Sequence, residues 1–136
     1  MTINELVRPH AARVPEARRL EFLPAMFGCS FVTIAESSVY NLMQRLSPLD
    51  YSGGLWEFYE HDDEPLYLAP KCDRRFRITG DITGFRGEVS ADAAGIIATL
   101  FAFSYLSFCY QSDLLCDGYR RLYAYAAYHD EAAEIF

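Results

Sequence analysis

Basic side chains are scarce in this 136-residue chain: 12 Lys and Arg stand against 19 Asp and Glu, a formal net charge of −7. That balance disfavours nonspecific binding to duplex DNA, where affinity comes from neutralising phosphates with Lys and Arg. Histidine is sparse too. His10, His61 and His129 each lack a second imidazole three to five residues away, so no contiguous metal motif exists and three solvated rings are expected. The four cysteines, Cys29, Cys72, Cys109 and Cys116, form no CxxC pair and have no His at zinc spacing. On one helix Cys109 and Cys116 would be about 10 Å of rise apart, too far for a disulfide. Four free thiols in a reducing cytoplasm are therefore expected. No GxSxG occurs, and Ser52 precedes a strand where a nucleophile elbow needs a strand-to-helix turn. Gly80 and Gly84 open onto a strand, so they offer no helix-end amides to a phosphate. No apolar run follows Arg8, His10 and Arg13, as a signal peptide would need. No metal and no cofactor is expected.

One hydrophobic run is long: twenty uncharged residues lie between Asp92 and Asp113, enough to span a bilayer. It contains Gly95, Thr99, Ser104, Ser107 and Gln111 and lacks close flanking Lys or Arg, so it reads as the buried central helix of a domain without membrane contact. An apolar content of 51% with 23% charged residues is globular, and the length fits one domain. Ten Tyr and ten Phe accompany a single Trp. Rings in the core are the default reading, and a Tyr-rich contact surface is the functional one.

Residues 1–14 carry mixed charge without period and read as a mobile or loosely docked arm, leaving 15–136 as the domain. Pro15 suits a first helical position; Pro24 should kink or restart that helix and Gly28 should close it. A second helix is expected over 36–46, with Val39, Leu42, Met43 and Leu46 at i, i+3, i+4, i+7. The period then changes. Trp56 and Phe58 alternate with Leu55, Glu57 and Tyr59, with Trp56 in the core and Glu57 and Tyr59 exposed. Leu66 and Leu68, then Phe76 and Ile78 against Arg75 and Arg77, repeat the alternation, and residues 85–89 make a fourth strand. Short polar connections imply one antiparallel four-stranded meander. Ser90 should cap the next helix, with Asp92 in its first turn and Ala93, Ala94 and Gly95 admitting a close neighbour. A last helix over 113–129 carries Leu115, Tyr119, Leu122, Tyr123 and Ala126 on one stripe, with Gly118 inside it at a cost near 1 kcal/mol. The fold class is α+β: a single sheet with helices packed on one face and a long buried helix after it.

Charge is patterned along the middle third. Glu57, Glu60, Asp62, Asp63 and Glu64 cluster at a hairpin end, and Lys71, Arg74, Arg75, Arg77 and Arg86 follow on the next strands. Exposed cross-strand ion pairs would contribute little stability. A polarised surface would instead orient a protein partner. On that reading Glu57, Tyr59, Asp62, Asp63, Glu64, Arg75 and Arg77 are the candidate contact residues. An enzyme site would have to be assembled in space, from residues such as Glu57, His61 and Glu88.

Two runs are more specific: Tyr51-Ser52-Gly53-Gly54-Leu55-Trp56-Glu57-Phe58-Tyr59 and Gly87-Glu88-Val89-Ser90-Ala91-Asp92-Ala93-Ala94-Gly95-Ile96. With Phe22-Leu23-Pro24-Ala25-Met26-Phe27-Gly28, they resemble the signature blocks of the ArdB/KlcA antirestriction family, over residues 14–129. The resemblance implies a cytoplasmic protein, plasmid or island borne, that protects incoming DNA from type I restriction enzymes. Its partner would be the restriction endonuclease complex or associated DNA-processing machinery, with no specific DNA binding of its own and no catalysis. Within these blocks Gly53, Gly54, Trp56, Ser90, Asp92 and Gly95 are expected to serve the fold. Gly118 and the acidic turn at 61–64 depart from the family pattern. A DNA-mimicking inhibitor is the alternative. Duplex DNA carries a charge per ~1.7 Å of axis, so a ~25 Å surface needs well over ten uncompensated carboxylates. The interleaved arginines leave this chain short of that.

Overall fold

The computed structural model describes residues 10–79 and 86–136. Gly80, Gly84 and Phe85 lie outside the described residues, as does most of the arm. Its inner end does not hang free: β1 (Ala12–Arg13) pairs antiparallel with β2 (Trp56–His61), and Val14 is buried, its amide donating to the Phe58 carbonyl at 2.8 Å. Residues 12–14, assigned to the arm, thus join the sheet.

A 3-10 turn at Glu16–Arg18 leads into α1 (Arg19–Phe27), which runs through Pro24 without a break. The amide that proline lacks would have bonded the carbonyl of Leu20, a residue 92% exposed, so the gap falls on the outer side of the helix. Gly28, at φ +89°, ends the helix. The chain turns by 94° into α2 (Val32–Leu46), one turn longer than its periodicity marks, with Ala35, Val39, Met43 and Leu46 buried.

β2 and β3 (Glu64–Pro70) form a hairpin whose turn residues, Asp62 and Asp63, both have positive φ (51° and 62°). That backbone matches the strand twist of a two-residue turn, and Asp tolerates it. β3 is buried on both faces at Leu66, Tyr67, Leu68 and Ala69, with helices packed against it. The single meander does not form. Among the described residues β4 (Arg75–Ile78) pairs only with β5 (Gly87–Ser90), giving a three-stranded and a two-stranded sheet. The outward amides of β4 and of the residue after it go elsewhere: Arg77 N donates to Asp50 Oδ2 at 2.8 Å, and Thr79 N to the Leu46 carbonyl at 3.1 Å. The edge that would have met β3 is thus taken by the α2–β2 connection.

α3 (Ala91–Cys109) is the core helix. Ser90 Oγ caps it by accepting from Ala93 N at 3.1 Å. Gly95 rests on β3: a Cβ there would lie 2.5 Å from Ala69 Cα and closer still to the Leu68 carbonyl oxygen. The α3 helix is long and apolar enough to cross a membrane, but 61% of its most apolar stretch is buried within the fold. α4 (Asp113–Ala126) buries Leu115, Gly118, Leu122 and Ala126, so its inward stripe is rotated from the expected one and leaves Tyr123 half exposed. Gly118 is the cause. A Cβ there would come within 2.6 Å of the buried Phe103 ring, so glycine lets α4 seat against α3. A short α5 (Ala132–Ile135) follows, which its four residues did not announce.

Candidate interaction surface

Of the acidic residues grouped by sequence at the hairpin, the fold separates two from the rest. Glu57 is expected to face solvent; its side chain is 10% exposed, held by Lys71 Nζ at 3.5 Å and Arg13 Nε at 3.9 Å. Glu60 accepts two hydrogen bonds from Arg18, at 2.5 and 3.1 Å, which hold its carboxyl below the ordinary carboxylate range. Its placement follows from the irregularity between Tyr59 and Glu60, which shifts the strand register. Tyr59 is not free either. Its ring stacks on Tyr67 at 4.8 Å, and burial pushes its hydroxyl pKa up.

Asp62, Asp63 and Glu64 do project into solvent at the turn, and Arg121 of α4 approaches Glu64 at 3.2 Å. Beside them lies a groove of about 490 Å3, with His61 and Asp62 on one wall and Arg121, Tyr125 and Tyr128 on the other. The basic residues on β4 point away from it. Arg77 grips Asp50 through Nε and Nη2, both at 2.9 Å, and Arg75 reaches the Glu88 carbonyl at 3.1 Å and Glu131 at 3.6 Å. These arginines are clasps between elements. The triad Glu57, His61, Glu88 is not assembled: Glu57 meets Lys71 and Arg13, His61 packs near Asp62 and Tyr125, and Glu88 faces Arg75.

The signature residues also resolve into roles. Gly53 and Gly54 have φ of +96° and +118° with open space where a Cβ would stand, so the requirement is conformational rather than steric. They border a cleft of about 400 Å3 floored by Tyr40, Tyr51 and Trp56, with Trp56 Nε1 donating to Tyr51 Oη at 3.1 Å. Arg19 closes one side, its guanidinium 4.4 Å from the Phe58 ring centre and donating to the Trp56 carbonyl.

Ser90 and Asp92 belong to a polar cluster at the start of α3. Tyr67 Oη donates to Asp92 Oδ1 at 2.5 Å, and burial foremost, then the Asp92 charge, drives the tyrosine pKa far up. His129 Nε2 meets Asp92 Oδ2 at 2.8 Å, while His129 Nδ1 accepts from Glu131 N at 3.0 Å. That pairing assigns the neutral tautomer with its proton on Nε2. Glu131 in turn accepts from Ser90 N at 2.9 Å and from Ser90 Oγ. His129, with its side chain 8% exposed, is thus a bonded crosspiece and not the solvated ring expected. Tyr67, His129, Glu131 and Asp50 carry no local signal. Across the fold they meet Asp92, Ser90 and Arg77, which lie 25 to 41 residues away in sequence. Among the described residues no three His, Cys, Asp or Glu side chains converge as metal ligands would.

Comparison with known proteins agrees on one family. The family model described as Antirestriction protein matches residues 49–136. Two antirestriction proteins KlcA of Escherichia coli are 46% and 45% identical, the alignments covering 93% of this chain and 90% and 91% of theirs. A solved structure superposes with a TM-score of 0.82 at 44% identity, covering 93% of this chain and 91% of its own. Its description is of the KlcA and ArdB proteins, which show a novel fold and antirestriction activity against type I DNA restriction systems in vivo but not in vitro.

Proposed function

The chain belongs to the antirestriction protein family, and from that premise we propose that it protects incoming plasmid or phage DNA from type I restriction enzymes by binding, without catalysis. The observation that carries this is identity of 44–46% across 93% of the chain, together with a shared fold. Activity described in vivo but not in vitro supports a target that includes something absent from the in vitro reaction. The restriction complex engaged with other DNA-processing machinery, in the cytoplasm, meets that requirement. A DNA mimic does not, since competition for the nuclease groove needs only the two proteins. The charge distribution points the same way, because Asp50, Glu57, Glu60 and Glu131 face Arg or Lys partners.

The contact surface we assign is the exposed hairpin end, Asp62, Asp63 and Glu64, with the adjoining groove under Tyr125 and Tyr128. Charge on a rim of this kind steers encounter and selects partners. Expression in a restricting host should raise the plating efficiency of unmodified phage by orders of magnitude while leaving host methylation intact. Unchanged plating against several type I systems would reject the reading.

A further inference from the structure

The second half of α3 is covered on one side and bare on the other. Ala102, Phe103 and Leu106 are buried, whereas Tyr105 is 59% and Phe108 90% exposed. Phe101, Tyr105 and Phe108 follow an i, i+4, i+7 spacing and form one ridge. A groove lies on each side of it. One, of about 460 Å3, is walled by Leu42 and Arg45 of α2; the other, of about 240 Å3, by Tyr119 and Tyr123 of α4. We propose that this face is a self-association surface, on which two copies of the chain each seat the α3 ridge in the other's groove between α3 and α4.

Three observations select a second copy as the occupant. A ridge beside a groove is self-complementary: a two-fold axis parallel to the ridge, offset from it by half the ridge-to-groove distance, exchanges both contacts at once. The face is electrically quiet. No charged residue stands on α3 after Asp92, and of the side chains lining the two grooves only Arg45 is charged. Copies that each carry a net charge of −7 repel less here than at the acidic hairpin, and a partner recruited by that acidity gains nothing from charge at this face. The area also suffices. Tyr105 is 59%, Phe108 90% and Tyr123 48% exposed, which for aromatic residues of about 200 Å2 each leaves on the order of 400 Å2 between them. Doubled across a two-fold, with the walls Leu42, Phe101 and Tyr119 added, the buried total passes the about 1,000 Å2 of a specific interface.

Sedimentation velocity of the purified chain over a concentration series tests this. The expected result is a monomer–dimer equilibrium that Phe108→Glu weakens at least about 30-fold, the loss of one central hot-spot side chain. Tyr105→Ser should weaken it in the same direction and serves if the first variant does not fold. Leu20→Glu, equally exposed but on α1, should leave the equilibrium unchanged. A monomer at every concentration, or a dimer indifferent to both ridge substitutions, would overturn the proposal. So would a monomeric chain whose Phe108→Glu form folds but no longer protects phage in cells, which would give the face to a different protein.

Discussion

At the scale of single residues, the glycines show how context reverses a propensity. In a helix interior Gly118 is about 1 kcal/mol worse than Ala, which makes Gly118→Ala look like an improvement. The Phe103 ring 2.6 Å from the missing Cβ decides otherwise, because that ring is fully buried and packed against Phe27 at 5.3 Å. Gly118→Ala should destabilise the fold by about 1 kcal/mol or more despite the better helix former, measured by urea denaturation. Gly95→Ala should be worse, about 3 kcal/mol or more, since the obstacle is the β3 backbone and not a ring edge. Equal midpoints for the two variants would contradict the difference in what each Cβ meets. Asp50 gives a second residue-scale outcome. Hydrogen bonds from the Arg77 side chain first, then its backbone amide, hold the Asp50 carboxyl down to about 2 from its ordinary 3.8. With the folded value the lower, the contribution is present above pH 3.8 and is lost as pH falls toward 2. Asp50→Asn should therefore flatten the acid limb of the stability curve in that window. An acid limb unchanged by the substitution would show that the clasp is not made in solution.

At the scale of elements, what local pattern governs was legible and what distant partners govern was not. Ser90 caps α3, Gly28 stops α1, and β2, β3 and β4 appear where the alternation put them, because each follows from neighbours a few residues away. The division into two sheets was hidden, since it turns on Asp50 and Leu46 taking the amides of Arg77 and Thr79 from another part of the chain. For the same reason His129 read as solvated: nothing near it in sequence announces Asp92. The segment after α4 is tied to the start of α3 chiefly by Glu131, which holds the Ser90 amide and hydroxyl together. Glu131→Ala should cost about 1 to 2 kcal/mol and speed hydrogen exchange at the Ser90 amide. Loss of stability without faster exchange at that amide would place the role of Glu131 in its contact with Arg75 instead.

At the scale of the whole molecule, net charge is a poor guide to where a partner binds, because it counts carboxylates that the fold has already neutralised. Charge and spacing single out seven candidate contact residues, yet Glu57, Tyr59, Glu64, Arg75 and Arg77 are engaged with Lys71, Tyr67, Arg121, Glu131 and Asp50. Changing any of those five alters the fold and the surface together, so loss of protection would say little about docking. Asp62 and Asp63 separate the two. They sit at positive φ, where Asn is at least as well accommodated, and no strand bond depends on their side chains. The combined change Asp62→Asn, Asp63→Asn removes two negative charges and keeps the turn, so the melting temperature should move by only a few degrees. If the hairpin end meets the restriction machinery, plating of unmodified phage should fall toward the level without the protein while its cellular abundance stays the same. Full protection by the folded, neutralised variant would remove the hairpin from the contact surface and leave the family's activity to another face.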